Sequence, residues 1–176
     1  MMERVYSGWR LATVPGTSAD GRPYDLLGPE PGKTLFETIE QSDLGDERTY
    51  VLGRRRSAFA VLNVYPYTTG HAMVLPRRGV PSLLDLDEEQ HHDLWELVRV
   101  TYRAIQDAFR PEGMNVGINE GEAGGGSVPD HLHVHVVPRW SADTNFMTSI
   151  AEARVLPMTL ADAWSRLRAA WPEPLD

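Results

Sequence analysis

The chain has 176 residues, 41% of them hydrophobic and 24% charged, which is the size and balance of one globular domain able to bury a core without covalent staples. It contains no cysteine, so disulfide frameworks and thiolate zinc sites are excluded, and His, Asp and Glu remain as the strong metal ligands. A formal net charge of -8 argues against nonspecific nucleic-acid binding, which requires a basic face.

Residues 1–33 are rich in Gly, Pro and Asp, carry no sustained periodicity, and read as an irregular arm; residues 34–176 read as the folded domain. The opening "MMERVYSGWR" lacks the apolar core of a secretory signal, and no apolar run approaches the ~20 residues that span a bilayer, so the expectation is a soluble, cytoplasmic protein with no membrane partner. "TLFETIEQ" predicts a short helix from 34 to 40, and strands are expected at 49–53, 57–64 and 70–76, separated by "RRRS" and "YPYTTG" turn chemistry. The strongest helix signal follows. Asp87 is an N-cap with Gln90 three residues on, Leu94, Val98, Thr101, Ile105 and Phe109 recur at helical spacing, and Pro111 with Gly113 ends the run. "GMNVGIN" predicts a strand, "EGEAGGGSVPD" a loop, "HLHVHVVP" a strand, and "TLADAWSRLRAAW" a last helix over 159–171. Strands, helix, hairpin and helix in that order predict an α+β domain with a mostly antiparallel sheet.

The segment "DHLHVHVVPRW" carries the chemistry. Half of the chain's six histidines lie within five positions, and strand alternation puts His131, His133 and His135 on one face, with Leu132, Val134 and Val136 on the other. Three readings stand side by side: a polar strand face that happens to use histidine, a metal site completed by Glu120, Glu122 or Asp130, and a site of phosphorus chemistry. Directly upstream, "NEGEAGGGSV" places four glycines within six residues. Such a loop is either a plain hairpin turn or a concavity whose backbone N–H groups converge on an anion. Beside imidazoles the phosphate reading is favoured, since neutral imidazole, with a reference pKa of ~6.5, is a competent nucleophile toward phosphorus.

"HLHVHVV" resembles the His-φ-His-φ-His-φ-φ signature (φ hydrophobic) of the histidine triad, or HIT, superfamily of nucleotidyl hydrolases and transferases, and "SAFAVLNVYPYTTGHAMVLPRR" looks like that family's paired strands with a ribose-binding residue and a supporting His. "NVGINEGEAGGGSVPDHLHVHVVPRW" is most similar to the actinobacterial diadenosine tetraphosphate phosphorylase branch. The resemblance implies an antiparallel five-stranded sheet with two helices, which dimerises into a continuous sheet as a homodimer or dimer of dimers. It makes His133 the nucleophile toward the α-phosphorus, His135 the contact to the phosphate and leaving side, and His131 with His71 the relay that fixes the nucleophile's tautomer. It assigns Asn63 to the ribose, Asn119, Gly126 and Ser127 to phosphate, Phe36 to the surroundings of the base, and Trp140 to a wall against the second nucleoside or to dimer core. Many dinucleotide hydrolases of the family have Gln where this chain has Ser127, a departure that agrees with the phosphorylase branch. Some relatives carry Cys-x-x-Cys near "TLFET"; without cysteine their structural zinc is not expected, and a divalent cation such as magnesium would enter only with the substrate. His91 and His92 are expected to be solvated and without a role. The implied partners are a dinucleoside polyphosphate and inorganic phosphate; the alternatives are hydrolysis of the dinucleotide, cleavage of a phosphoramidate or adenylyl sulfate, and a nucleotide sensor without catalysis.

Overall fold

A computed structural model of the chain describes residue 27 and residues 30–126, 128–144 and 157–172. Most of the arm expected over 1–33 therefore lies outside the described residues, as does Ser127.

Thr34 opens helix α1 (Leu35–Glu40) with a complete capping box: its hydroxyl accepts the Glu37 N–H, and the Glu37 carboxylate accepts the Thr34 N–H at 2.7 Å. A single turn, α2 (Asp46–Thr49), follows where the sequence reading began a strand. Tyr50 leaves that turn in the left-handed region (φ 58), so strand β1 runs only over Val51–Arg54. Strands β2 (Ala58–Leu62) and β3 (Ala72–Pro76) are shorter than expected at their turn ends, because Asn63 and Gly70 are committed to the intervening turn. Gly70 needs to be glycine: its φ is +82°, and a Cβ there would stand 2.5 Å from the ring of Phe109.

Helix α2 is separated from the long helix α3 (Glu88–Phe109) by the strands and a 3-10 turn (Leu83–Asp85), and α3 starts at the predicted Asp87–Gln90 capping box. Its buried stripe includes Leu94, Leu97, Thr101 and Ile105, and the helix packs across β2, β3 and the strand at Val134–Arg139. Strands β4 (Gly113–Ile118) and β5 (Val134–Arg139) come next, and α4 (Leu160–Ala169) closes the described chain against α3 and β1, where Trp164 donates to the Val51 carbonyl at 2.9 Å.

All five strands form one antiparallel sheet in the order β1-β2-β3-β5-β4. This α+β architecture is the expected one. Among the described residues no helix is long and apolar enough to cross a membrane. Strand β4 is an edge: most of its residues are exposed, Val116 among them at 42% exposure.

The histidine strand differs from the expectation in a way that matters for the site. Regular pairing begins at Val134, not at His131. Continuing the β3–β5 register, in which Val74 faces Val134, would set Leu132 opposite Pro76. That place in the ladder is already taken: Pro76 has no N–H to give, its carbonyl accepts from the His131 ring at 2.8 Å, and Leu132 N–H turns to the Val80 carbonyl at 2.6 Å. His131 and His133 thus sit on the extended lead-in to β5 and are held by specific bonds.

Candidate active site

Four imidazoles, from the lead-in, from β5 and from the start of β3, gather on one side of the sheet. His71 and His131 are fully buried, and His133 and His135 nearly so. The ring centroids of His133 and His135 are 4.9 Å apart, and those of His71 and His135 5.1 Å apart. Phe36, from α1, lies edge-on to His131 at 5.5 Å and tilted against His133 at 5.8 Å. Buried rings in this number are tolerated only if their nitrogens are satisfied, and their partners fix where each proton sits.

His133 Nδ1 is 2.8 Å from the backbone carbonyl of His131. A carbonyl only accepts, so Nδ1 carries the proton and Nε2 keeps its lone pair. His71 Nδ1 accepts the Tyr67 N–H at 3.0 Å, which leaves the proton on Nε2, and Nε2–H donates to His135 Nδ1 at 3.0 Å. Neutral His135 in turn carries its proton on Nε2; the Asn119 side-chain nitrogen 3.4 Å away is itself a donor and cannot accept that proton, so the two N–H groups stand side by side. Two neighbouring rings are therefore held in opposite tautomers, His133 with a bare Nε2 and His135 with an Nε2–H. Burial, followed by the neighbouring His133, pushes His135 down to about 4. Burial also lowers His131, against the opposing influence of its bond to Pro76 and of Glu37. Both rings are neutral at pH 7.

His131 is spent at both nitrogens. Nε2–H donates to the Pro76 carbonyl, and Nδ1 lies 2.6 Å from the Thr34 hydroxyl. A ring so engaged is no metal ligand, and among the described residues no group of three or more His, Asp or Glu side chains converges to hold an ion. The carboxylates considered as co-ligands lie elsewhere: Glu120 accepts from the Ser82 hydroxyl at 2.9 Å and from Leu83 N–H at 3.1 Å, while Glu122 and Asp130 are exposed.

A cavity of about 290 Å³ opens beside His135, between Tyr67, Asn115, Gly117 and Asn119 and reaching Arg139. Gly117 stands directly opposite His135 in the β4–β5 register, and its missing side chain keeps that floor open. Arg139 is clamped by both oxygens of Asp143, at 2.6 and 2.7 Å, and by Asn115 at 2.8 Å, so its charge is balanced within the wall.

The HIT domain model matches residues 45–142, and over 170 residues the chain is 44% identical to the AP-4-A phosphorylase of Mycobacterium tuberculosis, covering 97% of this chain and 85% of that protein. The chain belongs to the HIT family. A second relative, a bis(5'-nucleosyl)-tetraphosphatase [asymmetrical] of Schizosaccharomyces pombe, is 39% identical over 93 residues, 53% of this chain and 50% of that protein. Among solved structures, a HIT-like protein of Bartonella henselae aligns with a TM-score of 0.58 at 26% identity, covering 68% of this chain and 84% of that one.

Against this HIT site, the residues read from sequence sort by what the fold does with them. His71, His131, His133, His135, Asn119 and Phe36 come together. The relay differs from the one implied. His71 bonds to His135 rather than His133, and it is the peptide carbonyl of His131, with its ring committed elsewhere, that holds the His133 ring. Asn63 lies next to His71 at 3.4 Å, with its side-chain oxygen accepting Tyr65 N–H in a turn. The glycine loop is used differently from the anion concavity expected: Gly125 and Gly126 direct their N–H groups to carbonyls of Glu122 and Gly121 within the loop. Glycine is required there by packing, since a Cβ on Gly124 would stand 2.3 Å from the Glu120 carbonyl oxygen. Trp140 is half-buried, outside the cavity wall, and its N–H donates to Asp143 at 3.1 Å. His91 and His92 are exposed on α3.

Sequence reading missed Thr34 and the backbone of Pro76 and Tyr67. Only Thr34 left a signal, the Thr-x-x-Glu spacing over 34–37.

Proposed function

We propose that this HIT protein cleaves diadenosine polyphosphates by adenylyl transfer through His133, with inorganic phosphate as the acceptor. The observation that carries this reading is the tautomer of His133: its Nδ1–H is fixed on the His131 carbonyl, so the lone pair of the neutral ring is on Nε2. Nε2 attacks the α-phosphorus, forming an N–P bond as the bond to the bridging oxygen breaks, and a nucleoside polyphosphate leaves. Positive charge developing on the ring is shared with the His131 carbonyl. His135, with its proton on Nε2, donates to a phosphoryl oxygen, and Asn119 orients the same group. A phosphate oxygen then attacks the α-phosphorus of the nucleotidyl-histidine, the N–P bond breaks, and ADP is released. The names of the two relatives, a phosphorylase and a tetraphosphatase, support the dinucleotide as substrate.

Asn63 is assigned to the ribose, Ser127 to phosphate, and Trp140 to the second nucleoside or the subunit contact, on the resemblance alone; Gly126, whose N–H is committed to the Gly121 carbonyl, is not assigned to phosphate. A divalent cation such as magnesium belongs to the substrate, whose phosphates it would neutralise. The exposed edge strand β4 suits pairing with a second copy into a continuous sheet, as a homodimer or dimer of dimers, and a cytoplasmic location suits a nucleotide substrate.

Diadenosine tetraphosphate incubated with and without inorganic phosphate tests the reading. ADP and ATP formed only with phosphate support phosphorolysis. AMP and ATP formed regardless of phosphate would replace it by hydrolysis. Binding of AMP with no turnover of dinucleotide, phosphoramidate or adenylyl sulfate would leave a sensor.

A further inference from the structure

We propose that Thr34, the N-cap of α1, is a positioning residue that holds the nucleophile's tautomer from the far side of the triad; this rests on the reading of His133 as nucleophile. The Thr34 hydroxyl stands between two groups with opposite needs. It accepts the Glu37 N–H at 3.2 Å, closing the capping box, and lies 2.6 Å from His131 Nδ1. His131 Nε2 faces the Pro76 carbonyl, which cannot donate, so the ring proton is on Nε2 and Nδ1 must accept. The hydroxyl proton of Thr34 therefore points at His131. With both nitrogens engaged, one by α1 and one by the end of β3, the His131 ring and its peptide are pinned, and the peptide carbonyl is aimed at His133 Nδ1.

The rest of the neighbourhood serves this contact. The Glu37 carboxylate accepts the Thr34 N–H at 2.7 Å and the Gly79 N–H at 3.0 Å, tying the start of α1 to the chain leaving β3. Burial works to raise the Glu37 pKa, but those backbone donors outweigh it and keep the carboxyl ionised. Gly79 has no Cβ where one would stand 2.6 Å from the Thr34 methyl, so the two segments close on each other. Thr34 stands 97 positions before His131 and reaches the nucleophile through two hydrogen bonds.

Three variants separate positioning from helix capping. Thr34→Ser keeps the hydroxyl and serves as the rescue. Thr34→Asp keeps, or improves, the cap but has no proton for His131 Nδ1. Thr34→Val keeps the shape and loses both. The expected result is kcat near wild type for Ser, kcat lowered on the order of tenfold to a hundredfold for Asp and Val with KM changed less than about threefold, and an unchanged melting temperature for Asp. Nitrogen-15 NMR of the histidines in the resting protein gives a second readout: His133 fully Nδ1–H in wild type and Ser, mixed in Asp and Val. Wild-type kcat and an unchanged His133 tautomer in Thr34→Asp would overturn the proposal, as would loss in Val that tracks only its melting temperature. Because the tautomers are read without substrate, this outcome is separate from failure of the dinucleotide reading, which would show as absent turnover in wild type.

Discussion

The buried triad should make the folded state acid-sensitive in a way that one substitution removes. His135 is held at about 4, whereas a histidine in the unfolded chain titrates at 6.5, so below that pH the unfolded chain takes up a proton the folded chain refuses. The sign follows from linkage: the unfolded state binds more protons, stability rises with pH across this window, and it is lost as pH falls from 6.5 toward 4. At about 1.4 kcal/mol per pH unit, lowering pH from 7.5 to 5 removes about 2 kcal/mol through His135 alone. The physical cause is double: the ring is buried, 8% exposed, and the neighbouring His133 adds to the cost of charging it. His135→Asn removes the titration while its side-chain oxygen can still accept from His71. Urea unfolding of both proteins at fixed concentration across this range measures the difference, and the packing cost of the variant cancels because it is the same at every pH. His131 shifts in the same direction but is present in both chains, as are the carboxylates lowered at Glu37, Asp93 and Asp143, whose contribution is lost only at more acid pH. Parallel stability curves for the two proteins would refute the reasoning.

Removing the nucleophile, His133→Ala, should lower kcat on the order of a thousandfold or more while AMP still binds, checked by steady-state kinetics and calorimetry. Gly70→Ala should cost about 2–4 kcal/mol from a strained positive φ and from overpacking, because its Cβ would stand 2.5 Å from Phe109, and a thermal melt reads this directly. Asp93, buried on α3, accepts from Arg55, from Ser57 N–H and from the Ser57 hydroxyl, each at 2.9 to 3.0 Å. Asp93→Ala should lose about 3 kcal/mol in urea unfolding, with little change in the sheet's far-ultraviolet signal in water. Asn119→Ala, which removes the side-chain N–H donor beside His135 Nε2, should slow transfer about tenfold, read as a lower single-turnover rate with diadenosine tetraphosphate.

Much of the architecture was legible because it depends on nearest neighbours in the chain. The Asp87–Gln90 box and the periodic stripe through Ile105 define α3, and the alternation around His135 defines β5, since capping and side-chain periodicity are local properties of backbone geometry. Local reasoning erred where a distant partner intervened. A strand was expected from His131, but Pro76 and Val80 compete for its ladder bonds; a strand was expected from Thr49, but that residue closes a helical turn on the Gly45 carbonyl. The glycine loop pointed to phosphate by composition, yet its described N–H groups at Gly125 and Gly126 turn inward, a matter of loop conformation that composition does not encode.

By itself the sequence established that three imidazoles alternate in "HLHVHVV", that glycines precede them, and that no thiol is available to compete for a metal. The tertiary structure alone decided which nitrogen of each ring carries its proton. That choice depends on acceptors and donors that folding brings to each ring, the Pro76 carbonyl, the Tyr67 N–H and the Thr34 hydroxyl, because the hydrogen bond made by one ring nitrogen sets whether the other carries the proton.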